Sequence, residues 1–406
     1  MKSALVLSGG GAYGAWEVGV MKALCSGQSP STRGIPLDPS IFTGTSVGSF
    51  NASVMTMADG TGSDAVKKLE QFWMYEIADR GGNQGNGVYR IRGNPPSYLD
   101  APSIEKMFEP VLRAATDAAF LGGQWALRAT RFILSQGSLS SRVLGLIDIC
   151  SFICVEPFEA SLRRLINAAA IRRSPKVLRI VATDWATGEA RIFSNADMTD
   201  EYARHIIMAS AAIPGIFPSV TIGGDVCVDG GVVMNTPIAY ALDAGASDLH
   251  VVYVNPDLRM MPLDQCTNTI DILDRVYMTM LATKINSDIE MARNVNCGLE
   301  TLECAIDGMI PDSEAQKNFI KVAARIHERI QSERPYRQVT IHRYYPAKSL
   351  GDTLAMLNFS QAQIRELIAQ GFEDACRHDC EKNGCVIPSR VARPETIQVS
   401  IAGAGA

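Results

Sequence analysis

The hydrophobic pattern opens on a short apolar run, Ala4 to Leu7, that stops at a cluster of glycines. A run of this length ended by turn residues reads as a buried strand. Apolar residues then recur at helical spacing within 12–25, at Ala15, Trp16, Val18, Met21 and Leu24. A Gly/Pro/Ser-rich loop fills 26–40. Ile41 to Thr43 restore the strand pattern, and Asn51 to Met57 restart the helical one. The opening segment therefore predicts strand, glycine turn, helix, loop, strand, serine turn, helix. Alternation of this kind implies an α/β fold, a central mainly parallel sheet flanked by helices.

Residues 79–100 break the pattern with D-R-G-G-N-Q-G-N-G-V and N-P-P-S, which are loop chemistry. Residues 103–170 are helical in character and read as an insertion packed over the sheet. Two β-runs return between Val177 and Ser194 about a Thr187-Gly188 turn, and Glu201 to Ala212 form a helix stopped by Pro214. Val220 to Asp229 is a tight hairpin turning at Gly223-Gly224-Asp225. Thr236-Pro237 predicts an N-cap and first-turn proline, and Leu249 to Asn255 a buried strand. Beyond residue 260 come helical stretches, a β-run from Gln338 to Tyr345, and a helix capped at Ser360. The expected organisation is a catalytic-type α/β domain over 1–260 that includes the insertion, a helical extension with a short strand over 261–385, and a loose tail over 386–406.

Composition narrows the class. The chain has 406 residues, 47% of them hydrophobic, which supplies one large core. A net charge of -5 argues against a general nucleic-acid binder, which carries a basic face, so no nucleic acid is expected as partner. The N-terminus enters its glycines after only a few apolar residues and no stretch of 18 or more apolar residues occurs, so neither a secretory signal nor a transmembrane helix is expected. Ten cysteines are scattered rather than packed as a framework, which predicts reduced thiols and a cytoplasmic setting. The closest cluster holds Cys376, His378, Cys380 and Cys385. It lacks paired C-x-x-C spacing and reads as a helix end with free thiols, so no metal is expected.

Three stretches carry chemistry. Residues 44–48 read G-T-S-V-G, with Ser46 at a strand-to-helix turn. Gly44 and Gly48 leave room for a strained serine, and the following helix directs free N–H groups toward its hydroxyl. A structural turn is the competing reading. S-G-G-G-A-Y-G, Ser8 to Gly14, follows the first strand, and such a loop can aim amides at an oxyanion. Gly9, Gly11 and Gly14 also fit a dinucleotide fingerprint, although the region that should form its second strand, 26–38, is loop-like. Asp229-Gly230-Gly231 ends the hairpin, where the acid is either a turn cap or a base with a pKa raised by burial. His205 or His250, with an acid such as Asp184, leaves a Ser–His–Asp triad open.

In this order, the G-G-G-x-x-G, G-T-S-V-G followed by Asn51-Ala52, and D-G-G motifs resemble the patatin-like phospholipase family. A-S-A-A-I-P-G-I-F-P at 209–218 and A-T-D-W-A-T-G-E at 182–189 are also similar to that family. The resemblance implies a Ser46–Asp229 dyad without a catalytic histidine and oxyanion donors from Gly9, Gly10 and Gly11. Gly14, Gly44, Gly48, Gly230 and Gly231 would support these motifs. It also implies a phospholipase A or lysophospholipase-like hydrolase that cleaves lipid acyl esters through an acyl-serine, with no cofactor. The insertion matches the family only loosely, and head group, chain length and oligomeric state stay open. Its Phe120, Trp125 and Leu127 among Arg113 and Arg128 suit either a cap over the core or peripheral contact with anionic membrane.

Overall fold

A computed structural model describes residues 2–79, 86–92, 104–134, 149–254, 269–307, 313–332, 338–351 and 355–388. Most of the expected tail, 389–406, lies outside the described residues, as do 93–103 and 135–148 of the loop and insertion. The strands are β1 (Ser3–Leu7), β2 (Ile41–Thr45), β3 (Arg90–Ile91), β4 (Ile153–Cys154) and β5 (Val177–Asp184). They continue with β6 (Ala190–Ser194), β7 (Val220–Ile222), β8 (Asp225–Asp229), β9 (Asp248–Val252) and β10 (Thr340–Tyr344). The main sheet runs β10-β9-β1-β2-β5-β8-β7, with β6 also paired to β5. The strands β10, β9, β1, β2 and β5 pair in parallel, and β6, β8 and β7 add antiparallel partners. The central strands are buried along nearly their whole length, as expected of parallel strands covered on both faces.

Helices α1 (Gly14–Cys25), α2 (Val47–Met57) and α3 (Gly62–Phe72) cover one face. The helix α2 begins directly after Ser46, earlier than the apolar spacing suggested. The helix after Thr236 spans Ile238–Asp243 with Pro237 itself at the cap position, so Thr236 lies one residue outside the predicted role.

The segments expected as a C-terminal extension are built into this body. The strand β10 extends the sheet beside β9, and the helix Gln361–Cys376 lies on α1. The two helices touch backbone to backbone: a Cβ on Gly19 would overlap Ile368 O, and one on Gly371 would overlap Trp16 O. Trp16 Nε1 donates to Asp374 Oδ2 at 2.9 Å across the same contact. That close approach explains why α1 is buried all round rather than along one stripe.

The insertion stands on a two-stranded antiparallel ribbon, β3 with β4, which the sequence reading missed because each strand is only two residues long. Its long helix, Ile104–Leu134, is tied to the ribbon by Arg90, which donates to both oxygens of the buried Asp117 at 2.7 and 3.1 Å. Leu112, Trp125 and Leu127 on this helix are 70%, 61% and 58% exposed, so the helix is not a closed cap along its length.

A methyl group at the α1 crossing has no space to enter. Gly371→Ala is expected to destabilise the fold by about 1–3 kcal/mol, read as a lower urea midpoint. An unchanged midpoint would contradict the tight crossing.

Candidate active site

Strand register brings the serine turn and the D-G-G turn together. The strand β2 pairs with β5 up to Thr45 opposite Val181, while β8 pairs with β5 from Asp229 opposite Ala182. Ala182 and Thr183 also pair with β6, so β8 must use the other edge of β5, the one β2 vacates after Val181. One strand runs parallel and the other antiparallel to β5, so their C-terminal ends meet head-on. Ser46 follows one end and Asp229 forms the other.

Ser46 sits in the turn with φ 54° and ψ -127°, a left-handed conformation that costs a non-glycine residue energy. The turn closes because Gly44 and Gly48 meet: a Cβ on Gly44 would overlap Gly48 O, and one on Gly48 would lie 2.6 Å from both Leu7 O and Ser8 O. The Ser46 N–H donates to Ser210 Oγ at 2.9 Å, and Ser210 Oγ donates to Val181 O at 2.6 Å. Ser46 O accepts from the Ser49 N–H at 2.9 Å and from Ser49 Oγ at 2.6 Å. Ser210 was not singled out in the sequence, although it lies in the A-S-A-A-I-P-G stretch.

Asp229 is 1% exposed. Its Oδ1 accepts the Gly231 N–H at 2.7 Å, while Oδ2 is buried without a hydrogen-bond partner. Burial pushes its pKa up to about 7, against the Gly231 amide and the Ser46 side chain, which favour the charged form. Gly230 passes under β5, where a Cβ would overlap Val181 O.

The glycine loop lies on the other side of Ser46. A Cβ on Gly9 would stand 2.8 Å from Ser46 Cβ and 3.6 Å from Ser46 Oγ. Gly9 differs from its expected role, because its N–H is spent on Asn235 Oδ1 at 3.0 Å. No acceptor among the described residues takes the Gly10 or Gly11 N–H. Gly11 adopts φ 55° and packs against Met356, whose O lies 2.5 Å from a Cβ placed there. Gly14 starts α1 against Val47. Asn235 carried no periodic signal, and its partner Gly9 lies 226 positions away in sequence.

Beneath the loop is a buried polar chain that the sequence also hid. Glu17 Oε1 accepts the Ser8 N–H at 2.9 Å, and Glu17 Oε2 accepts from Asn51 Nδ2 at 2.9 Å. Asn51 Oδ1 in turn accepts from Trp73 Nε1 at 2.9 Å. Burial raises the Glu17 pKa to about 8, although its Asn51 and Ser8 donors pull it down. This chain ties the glycine loop, α1, α2 and the end of α3 into one unit.

An apolar pocket opens over Ser46 and Gly11, walled by Phe50, Trp73, Phe158, Phe217 and Phe359 among others. Its described lining holds no histidine. The five histidines are engaged elsewhere: His205 with Glu201 O, His250 with Tyr344, His327 with Glu303, and His342 and His378 with cysteines.

The chain is similar to VipD from Legionella pneumophila, with 15% identity over 90% of this chain and 66% of that one and a TM-score of 0.32. The chain thus spans just under two thirds of VipD's length. No curated protein matches it. The family profile of the patatin-like phospholipases matches residues 5–242, a stretch that holds all three glycine motifs, Ser46 and Asp229 and more than half of the chain. The chain belongs to the patatin-like phospholipase family.

Proposed function

We propose that this chain hydrolyses acyl esters of phospholipids or lysophospholipids, with Ser46 as nucleophile and Asp229 as base. The observation that carries the reading is the head-on meeting of two strand ends, which sets a strained serine beside a buried carboxyl with one unpartnered oxygen. The pocket accepts the acyl chain, since its walls are aromatic and aliphatic. Ser46 Oγ attacks the ester carbonyl carbon while its proton passes to Asp229. The N–H groups of Gly10 and Gly11, with that of Val47 at the start of α2, receive the charge that develops on the carbonyl oxygen. Collapse expels the alcohol, which takes the proton back from Asp229 and leaves an acyl-serine. Water, deprotonated by the same carboxylate, then releases the fatty acid. No step uses an imidazole or a metal.

The exposed Trp125 and Leu127 near Arg128 favour contact with an anionic lipid surface as the route by which substrate arrives. The described cysteines are free and no described helix is long and apolar enough to cross a membrane, which fits a reducing, cytoplasmic compartment with peripheral membrane contact.

Ser46→Ala and Asp229→Asn are each expected to lower turnover of a soluble ester by about 10⁴-fold or more, and the double variant to be hardly worse. His205→Gln and His250→Gln should keep most activity. A folded histidine variant as inactive as Ser46→Ala would replace the dyad with a triad.

The base must be ionised, so kcat/KM should rise with pH along an acid limb centred near pH 7. The linked effect on stability has the opposite sign. The folded pKa lies above the unfolded carboxyl value, so this group's contribution is fully present below the unfolded pKa and is lost as pH rises through about 7. Asp229→Asn should therefore be inactive yet at least as stable as wild type above that pH. A less stable, folded Asp229→Asn under those conditions would contradict the buried, uncompensated charge.

Trp125→Ala combined with Arg128→Glu should weaken sedimentation with anionic vesicles while sparing soluble-ester hydrolysis. Equal vesicle binding by both proteins would remove the docking role.

A further inference from the structure

The turn after the helix Gln361–Cys376 gathers groups that the hydrolysis does not use. In sequence, Cys376, His378, Cys380 and Cys385 form a run with no paired spacing. Folding substitutes its first member: His342 arrives from β10, at the edge of the main sheet. His342 Nδ1 lies 3.5 Å from Cys380 Sγ, and His378 Nε2 lies 3.4 Å from Cys380 Sγ and 3.5 Å from Cys385 Sγ. One donor atom from each of these four residues falls within 4.8 Å of all the others.

We propose that His342, His378, Cys380 and Cys385 form a four-coordinate zinc site. With zinc bonds of about 2.0–2.1 Å to nitrogen and about 2.3 Å to sulfur, tetrahedral angles set N and S ligands roughly 3.6 Å apart. The three N···S separations match that spacing. Two sulfurs with two imidazole nitrogens suit zinc by softness and by geometry. A two-iron cluster is excluded by the same distances, because it would carry the sulfur pair and the nitrogen pair on different irons. Both histidines nearly touch Cys380, so one ion must serve all four groups.

The surroundings match a ligand set as well. Cys385 Sγ accepts the Arg343 backbone N–H at 3.3 Å, a contact that stabilises a thiolate. The far nitrogen of His342, Nε2, faces Asp248 Oδ1 at 3.8 Å, and that oxygen is buried without a hydrogen bond. A carboxylate behind a ligating histidine fixes its ring and raises its basicity. Burial disfavours the protonated form of both rings, which leaves their lone pairs for an ion. Uptake of one Zn²⁺ by two neutral imidazoles and two thiols forms two Zn–S bonds and releases the two thiol protons to solvent.

Such an ion would be structural, with every position filled by protein. It would bind the turn after the Gln361–Cys376 helix to the edge strand β10, next to the paired Ile341 and Val386. The same C-terminal segment supplies Leu357 and Phe359 to the pocket wall.

Full-length protein reconstituted with zinc and desalted should hold about one zinc per chain by elemental analysis. Cobalt(II) in its place should give the intense visible bands of a tetrahedral thiolate site. Cys380→Ser with Cys385→Ser should lose the ion, whereas Cys376→Ser and Ser46→Ala should keep it, which separates this site from the proposed hydrolysis. Wild-type protein that retains no zinc, or a double variant that retains it fully, would overturn the assignment. If the double variant does not fold, the cobalt spectrum of the wild type decides: tetrahedral bands support the site, and octahedral bands sink it.

Discussion

The hydrolysis proposed for this molecule depends on one edge of the strand β5 being shared by two others. The strand β2 occupies it as far as Val181, and β8 occupies it from Ala182 onward in the opposite direction. Backbone hydrogen bonding sets this register, and side chains then inherit it: Ser46 leaves the sheet where Asp229 arrives. The small residues around the junction follow from the crowding. Gly44, Gly48 and Gly230 each lie where a Cβ would run into a neighbouring carbonyl. Ser210 fastens the junction from a third direction by taking the Ser46 N–H and giving its own proton to Val181 O.

This junction has a thermodynamic cost. A serine at φ 54°, a carboxyl with an orphaned oxygen and a wholly buried glutamate each oppose folding locally. They persist because the surrounding packing is dense and because most of the polar atoms are chained together. Glu17 joins Ser8 to Asn51, and Asn51 joins Trp73, so the glycine loop cannot shift without breaking several buried hydrogen bonds. The uncompensated part is Asp229 Oδ2. A group that lowers stability and sits against a strained hydroxyl is the pattern expected of a chemical rather than an architectural role.

Much of the fold was legible in the sequence, because strand and helix periods and glycine turns are local signals. The run Ala4–Leu7, the Ser46 turn, the hairpin ending at Asp229 and the Ser360 cap all lie where the pattern put them. Long-range polar pairing was not legible. Asn235 reaches Gly9, Trp16 reaches Asp374, and His342 reaches Cys380, and none of these contacts leaves a periodic trace. The segment after residue 260 was underestimated for the same reason. Parallel pairing of β10 with β9 and the Gly19–Gly371 crossing make it part of the main body, yet each depends on residues far apart along the chain. The five histidines show the limit from the other side: His205 and His250 are open candidates by order along the chain, and the structure pairs them with Glu201 O and Tyr344, outside the described pocket lining.

The central claim is that Asp229 activates Ser46 directly. Covalent labelling by a fluorophosphonate ester, followed by peptide mass mapping, tests it without any assumption about the lipid. The account predicts a single adduct on Ser46 whose rate of formation collapses in folded Asp229→Asn protein. Labelling of Ser46 at the wild-type rate in that variant, or no labelling of the wild type at all, would contradict it.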